Sequence, residues 1–211
     1  MIEVPPKVFA SDILVTFGYA IDLDEVRKRY ELKDPRLLES GFQPKSRQEM
    51  RYVDEYAEPS WKCAIEWKRA GATVVQIANL AHYLLLAKDC RGSVLLTCAC
   101  DDLPESGLVQ LGTDTVHVDN LVQEMKDTPV EIFDATSCLT SSIAEDIRAT
   151  TGIYAIGSSE FPPPLGAAAL STLVAIYMRT SGRDYIQARR AVGPVPTEGS
   201  EVGTTKEGHS S

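Results

Sequence analysis

The sequence is short of positive charge and contains no long basic run. Its 211 residues include 21 Lys and Arg against 30 Asp and Glu, which gives a formal net charge of −9. A negative surface repels the phosphate groups of nucleic acids and of anionic lipids. We therefore expect neither nucleic acid nor a membrane as a partner.

Long apolar segments and a secretory signal pattern are also missing. The longest apolar stretches, residues 84–87 and the interrupted stretch 167–178, are shorter than the roughly 20 residues that a membrane-spanning helix needs. The first eleven residues lack a basic region followed by an apolar one. The five cysteines are an odd number, which suits reduced thiols. We expect a cytoplasmic protein.

Neither a phosphate-binding glycine loop nor a complete metal-binding motif is present. Gly18, Gly152 and Gly157 adjoin predicted strands but lack the spacing that directs backbone N–H groups at a phosphate. Cys98 and Cys100 would point to one side of a strand, yet no second cysteine or histidine pair completes four zinc ligands. We predict no metal and no cofactor.

What the sequence does contain is an alternation of β-forming and helix-forming segments. Strands are predicted at residues 13–17, 93–99, 130–135 and 153–156, with a hairpin within 108–118. Helices are predicted at 25–32, 61–70, 73–88, 119–126, 137–150 and 166–179, with a further helical turn from residue 35 that ends at Gly41. The helix at 166–179 is predicted to close the fold. This order predicts an α/β protein with a mostly parallel sheet and helices on both faces.

The composition favours one domain followed by a tail. With 44% hydrophobic and 24% charged residues, the chain can bury a core without disulfides. Beyond about residue 192 it turns to Gly, Pro, Ser, Thr and Glu. We predict a single domain over residues 1–192 and a disordered tail over 193–211.

Polar and thiol side chains follow two of the predicted strands. Ligands and catalytic groups gather at the carboxyl ends of parallel strands. The candidate binding residues are Asp101, Asp134 and Ser137, and Cys100 and Cys138 are candidate nucleophiles. His117, between two strands, could act as the base for such a thiolate. It could equally be an ordinary surface histidine of a hairpin.

The segments around these residues resemble those of caspase-like cysteine peptidases, including metacaspase-like and CHAT-type relatives. A helix leads into SVLLTCACD, a short helix leads into VEIFDATSC, and a further helix, strand and small-residue helix follow. The resemblance implies a caspase-like three-layer sandwich. It places the family's catalytic histidine at Cys100 and its catalytic cysteine at Thr136.

Both substitutions remove the chemistry that the family requires. Threonine lacks the acidity of a thiol, and cysteine cannot replace an imidazole near neutral pH. The resemblance thus predicts a catalytically degenerate domain that serves as a protein-interaction or regulatory module rather than as an enzyme. Two alternatives stay open: an active cysteine hydrolase that uses Cys138 or Cys100 with His117, and an α/β protein that binds a small ligand at the strand ends.

Overall fold

A five-stranded, wholly parallel sheet forms the centre of the molecule. The computed structural model describes residues 5–17, 58–96, 108–135, 141–157 and 164–193. The sheet strands are β1 (Ile13–Phe17), β2 (Thr73–Gln76), β3 (Gly92–Leu96), β6 (Ile132–Ala135) and β7 (Tyr154–Gly157), in the spatial order β2-β1-β3-β6-β7. Residues of β1, β3 and β6 are buried throughout, as is typical of parallel strands covered on both faces.

Helices cover the sheet on both sides. They are α1 (Glu58–Ala70), α2 (Leu80–Ala87), α3 (Val118–Met125), α4 (Ser141–Thr151), α5 (Pro164–Ser181) and α6 (Tyr185–Val192). The cores on the two faces contain different helices: α2, α3 and α4 pack on one face, and α1, α5 and α6 pack on the other. The prediction of an α/β protein with helices on both faces is confirmed. None of the described helices is long and apolar enough to cross a membrane.

A two-stranded antiparallel hairpin, β4 (Leu108–Leu111) and β5 (Asp114–His117), lies between β3 and α3. Its tip packs against the loop between β2 and α2. The Thr113 N–H donates to the Ala78 carbonyl at 2.8 Å, and Asp114 Oδ2 accepts from the Leu80 N–H at 3.0 Å. The predicted hairpin is confirmed, and these hydrogen bonds attach its tip to a loop that is more than 30 residues away in the chain.

The prediction of one helix over residues 73–88 is wrong. Residues 73–76 form the edge strand β2, which pairs in parallel with β1 from Leu14↔Thr73 to Phe17↔Gln76. The helix α2 starts only after Asn79, whose side chain accepts from the His82 N–H at 2.8 Å. The apolar residues of this segment belong to two successive elements, a strand and a helix. β-Branched residues at the start of the segment favour the strand.

Other boundaries differ by a few residues. Helix α1 begins at Glu58 rather than at Trp61, and Pro59 occupies its first turn. The N-cap of α3 is His117, whereas Asp119 or Asn120 was predicted. Helix α5 was predicted to close the fold, but α6 follows it. The predicted helices between residues 24 and 41, and the disordered tail from 194 onward, lie outside the described residues.

Candidate functional site

The strands β3 and β6 precede most of the predicted site residues in the chain. β3 and β6 are neighbours in register, with Gly92↔Ile132 and Val94↔Asp134 paired. Their carboxyl ends therefore lie side by side at one edge. The chain order also reverses between β1 and β3, and such a switch point opens a crevice at the carboxyl ends of the strands.

Most of the predicted site residues follow these strand ends directly. Cys100, Asp101, Thr136, Ser137 and Cys138 all lie outside the described residues. The topology brings the strands that precede them to one edge, and their roles stay predictions. Asp134 and His117 belong to the described part of the chain, and the structure places them in different environments.

Asp134 points into the interior rather than toward the carboxyl edge. Its side chain is only 2% exposed. Its Oδ2 atom accepts from the Tyr185 hydroxyl at 2.6 Å and from Arg189 Nε at 3.3 Å. Both partners belong to α6, so the carboxylate anchors this helix to the sheet. Burial and the adjacent Asp134 carboxylate raise the pKa of Tyr185 well above its ordinary value, which keeps the hydroxyl protonated as a donor.

Little room remains around this buried network. A cavity of about 10 Å³ touches Asp134, Ser171, Tyr185 and Arg189. A volume of roughly 10–15 Å³ on this measure suits one water molecule. In this conformation the Asp134 carboxylate cannot contact an organic ligand, and its observed role is to hold α6.

His117 serves as the N-cap of α3. Its Nδ1 atom accepts from the Asp119 N–H at 3.3 Å and lies 3.3 Å from Asp119 Oδ2. The side chain is 46% exposed. A neutral imidazole that accepts at Nδ1 carries its proton on Nε2. In that tautomer the side chain has a structural role at the start of α3.

His82, the other described histidine, is used in the same way. Its Nδ1 accepts from the Ala78 N–H at 3.1 Å, while the backbone N–H of His82 donates to Asn79 Oδ1. The imidazole thus bonds the backbone N–H of the residue before the N-cap, while the Asn79 side chain caps the helix. His82 has a structural role at the start of α2.

The two cysteines that the structure describes are free but buried. Burial raises the pKa of the Cys63 thiol to about 11, and burial also raises the pKa of Cys90. A thiol with a raised pKa is a poor nucleophile near neutral pH. Within the described ranges, no group of three His, Cys, Asp or Glu side chains is placed to hold a metal ion.

One buried polar group lies beside the switch point. Thr16 is fully buried near the carboxyl end of β1, between Val75 of β2 and Leu95 of β3 in the sheet register. Among the described residues, its hydroxyl oxygen is the buried side-chain atom that has no hydrogen-bond partner. An orphaned hydroxyl of this kind costs stability. Nothing in the sequence around residues 13–17 indicated it.

Tyr185 and Arg189 are the functional partners of Asp134 that the sequence interpretation missed. They lie four residues apart on α6, which Asp184 caps by accepting from the Gln187 N–H at 3.0 Å. An N-capping aspartate followed by a tyrosine and an arginine at helical spacing was the available signal.

Comparisons of the chain with protein-family models, with curated proteins and with solved structures find no match.

Proposed function

We propose that this chain is a catalytically inactive, caspase-like domain that acts as a protein-interaction or regulatory module. The observation that carries the proposal is the state of His117. Its Nδ1 accepts from the Asp119 N–H at the N-cap of α3, so the histidine on which the active-hydrolase alternative relies has a structural role here.

Two further features support the inactive form. The resemblance places Cys100 and Thr136 at the family's histidine and cysteine positions, and that pair cannot generate a thiolate beside an imidazole. Apart from the β4-β5 hairpin, which follows β3, the order α2-β3-α3-β6-α4-β7-α5 is also the order of elements on which the resemblance rests. If such a domain lacks the catalytic histidine and cysteine, its function must lie in binding through its surface rather than in catalysis.

Peptidase assays on the native chain and on matched His117 variants test the proposed absence of catalytic activity. The purified chain is incubated with a complex peptide library, and new termini are counted by mass spectrometry. We expect no cleavage above background. His117→Asn keeps a side-chain acceptor for the cap, whereas His117→Ala removes it and should lower the free energy of unfolding by about 1 kcal/mol.

Cleavage that disappears in both His117→Asn and Cys138→Ser, or in both His117→Asn and Cys100→Ser, would establish the active-hydrolase alternative instead. Rapid alkylation of Cys100 or Cys138 by iodoacetamide at pH 6 would point the same way, because it reports a depressed thiol pKa.

The proposed role as a protein-interaction module leads to a separate prediction. When the chain is isolated from its source cells at low salt, it should elute with a protein partner in stoichiometric amount. The partner should remain bound to His117→Asn, whose surface is otherwise unchanged. Elution of the native chain by itself, at the mass of a monomer, contradicts an interaction role.

A further inference from the structure

The proposed function leaves unused a groove at the amino edge of the sheet. It lies where β6 and β7 begin and where α3 and α4 end, and the Pro5-Pro6 segment forms one wall. Its volume is about 470 Å³, within the range of small-molecule sites. The sheet strands of four or five residues place it roughly 15 Å from the carboxyl edge.

Apolar side chains form the inner surface of the groove. Met125, Val130 and Ile153 line it and are themselves almost fully buried. Tyr154, half-buried, and Pro129 extend the apolar surface toward the opening. This lining favours a ligand with a hydrophobic body of at least a ring in size.

The backbone N–H groups of Thr128, Gly152 and Ile153, which line the groove, are already hydrogen-bonded. The Met125 carbonyl accepts from the N–H and the hydroxyl of Thr128, and the Ile147 carbonyl accepts from the Thr151 hydroxyl at 2.6 Å. Recognition of a polar group in this groove therefore falls to the charged side chains on its rim.

The available rim charges are positive. Glu131 lines the groove, but Arg91 neutralises it through two hydrogen bonds of 2.7 and 2.9 Å. Lys126 and Arg148 are exposed, and their described hydrogen bonds go to neutral acceptors, Gln123 Oε1 and the Ala155 carbonyl. Within the described ranges neither rim cation has a carboxylate partner, so both can interact with an anionic ligand.

We propose that this amino-edge groove binds a small anionic molecule with an apolar body, of the aromatic carboxylate or sulfonate class. The apolar lining takes the body, and Lys126 and Arg148 hold the anionic group. The site is separate from the carboxyl edge, so the proposal does not depend on the proposed function.

Fluorescence titration with 8-anilinonaphthalene-1-sulfonate tests the groove, with N-phenyl-1-naphthylamine as the neutral analogue. We expect saturable binding of one sulfonate probe per chain. Lys126→Gln and Arg148→Gln should each weaken it roughly two- to fivefold, the value of one exposed ion pair. Binding should also weaken as salt is raised. Arg183→Gln removes an exposed charge outside the groove and serves as the matched control.

The neutral analogue separates charge recognition from general hydrophobic binding. Its affinity should be the same in the native chain and in the Lys126 and Arg148 variants. Arg148→Lys keeps the positive charge and should retain the sulfonate affinity, which guards against a fold defect in Arg148→Gln. Amide resonances of Thr128, Gly152 and Ile153 should shift when the sulfonate binds. Equal affinities in all variants, no saturable binding, or shifts confined to other regions would overturn the proposal.

Discussion

Removing the Asp134 carboxylate should release α6 from the sheet at a large cost in stability. Asp134→Ala leaves the Tyr185 hydroxyl without its acceptor at 2.6 Å and leaves Arg189, only 15% exposed, without its counter-ion. Breaking a buried ion pair by deleting one member costs about 3–5 kcal/mol. Arg189 keeps its bond of 2.8 Å to the Gly193 carbonyl, which favours the lower half of that range.

Two companion variants divide this cost. Tyr185→Phe removes one hydrogen bond to a charged group, worth about 1.5–3 kcal/mol. Asp134→Asn keeps an acceptor for Tyr185 but loses the charge that Arg189 needs, so its cost should fall between those of the other two. The coupling between Asp134→Asn and Tyr185→Phe in a double-mutant cycle should exceed about 0.5 kcal/mol, because the side chains are in contact.

Urea denaturation followed by tryptophan fluorescence provides the assay. Trp67 stacks on Tyr185 with ring centroids 6.2 Å apart, so its emission reports directly on the position of α6. A Trp61→Phe background isolates this signal. Arg179→Ala, which breaks a more exposed ion pair with Glu66, is the control and should cost at most about 1 kcal/mol. The reasoning fails if Asp134→Ala costs no more than this control.

The remaining predictions concern the hairpin tip and alkaline pH. Gly112 has a φ of +65°, and a Cβ there would lie 2.3 Å from the Ala78 carbonyl oxygen. Gly112→Ala should therefore lower the free energy of unfolding by well over the roughly 1–3 kcal/mol that backbone strain alone costs. Gly182→Ala is the control, because Gly182 has a φ of +66° and a Cβ there meets no neighbouring atom. Equal melting temperatures for the two variants would refute the predicted clash at Gly112. The raised pKa values of Tyr185 and Tyr83 mean that the folded state holds these protons more tightly than the unfolded chain. Their contribution to stability should be constant below pH 10 and fall above it, and a series of unfolding curves from pH 8 to 11 should show a shallower decline in Tyr185→Phe.

Local sequence was sufficient wherever the element signal was strong. Ile13–Phe17 and the strand that starts at Ile132 are short apolar runs rich in β-formers, and both are strands. The prediction for residues 73–88 failed because a four-residue strand directly precedes a capped helix, so that the apolar residues of the two elements resemble one long helix. The pairing of Thr73–Gln76 with β1 decides between the two interpretations, and that pairing joins residues almost 60 positions apart.

The candidate site divides in the same way. The sequence indicated that Asp134 stands near a strand end, but it could not indicate which face of the sheet the carboxylate occupies or that α6 covers it. That outcome depends on strand register, which decides whether a side chain faces one layer or the other. The use of His117 as a helix cap was likewise invisible, because capping depends on the φ and ψ of a single residue.

By itself, then, the sequence determined the fold class. Its strands alternate with helices, and its strands are apolar runs of the kind that is buried on both faces, which together predict an α/β protein with a parallel sheet. The tertiary structure decided the rest. It assigned the edge strand β2, committed Asp134 to Tyr185 and Arg189, and formed the groove at the amino edge from segments between residues 5 and 154. These features depend on contacts between residues far apart in the chain, and local propensity contains no information about such contacts.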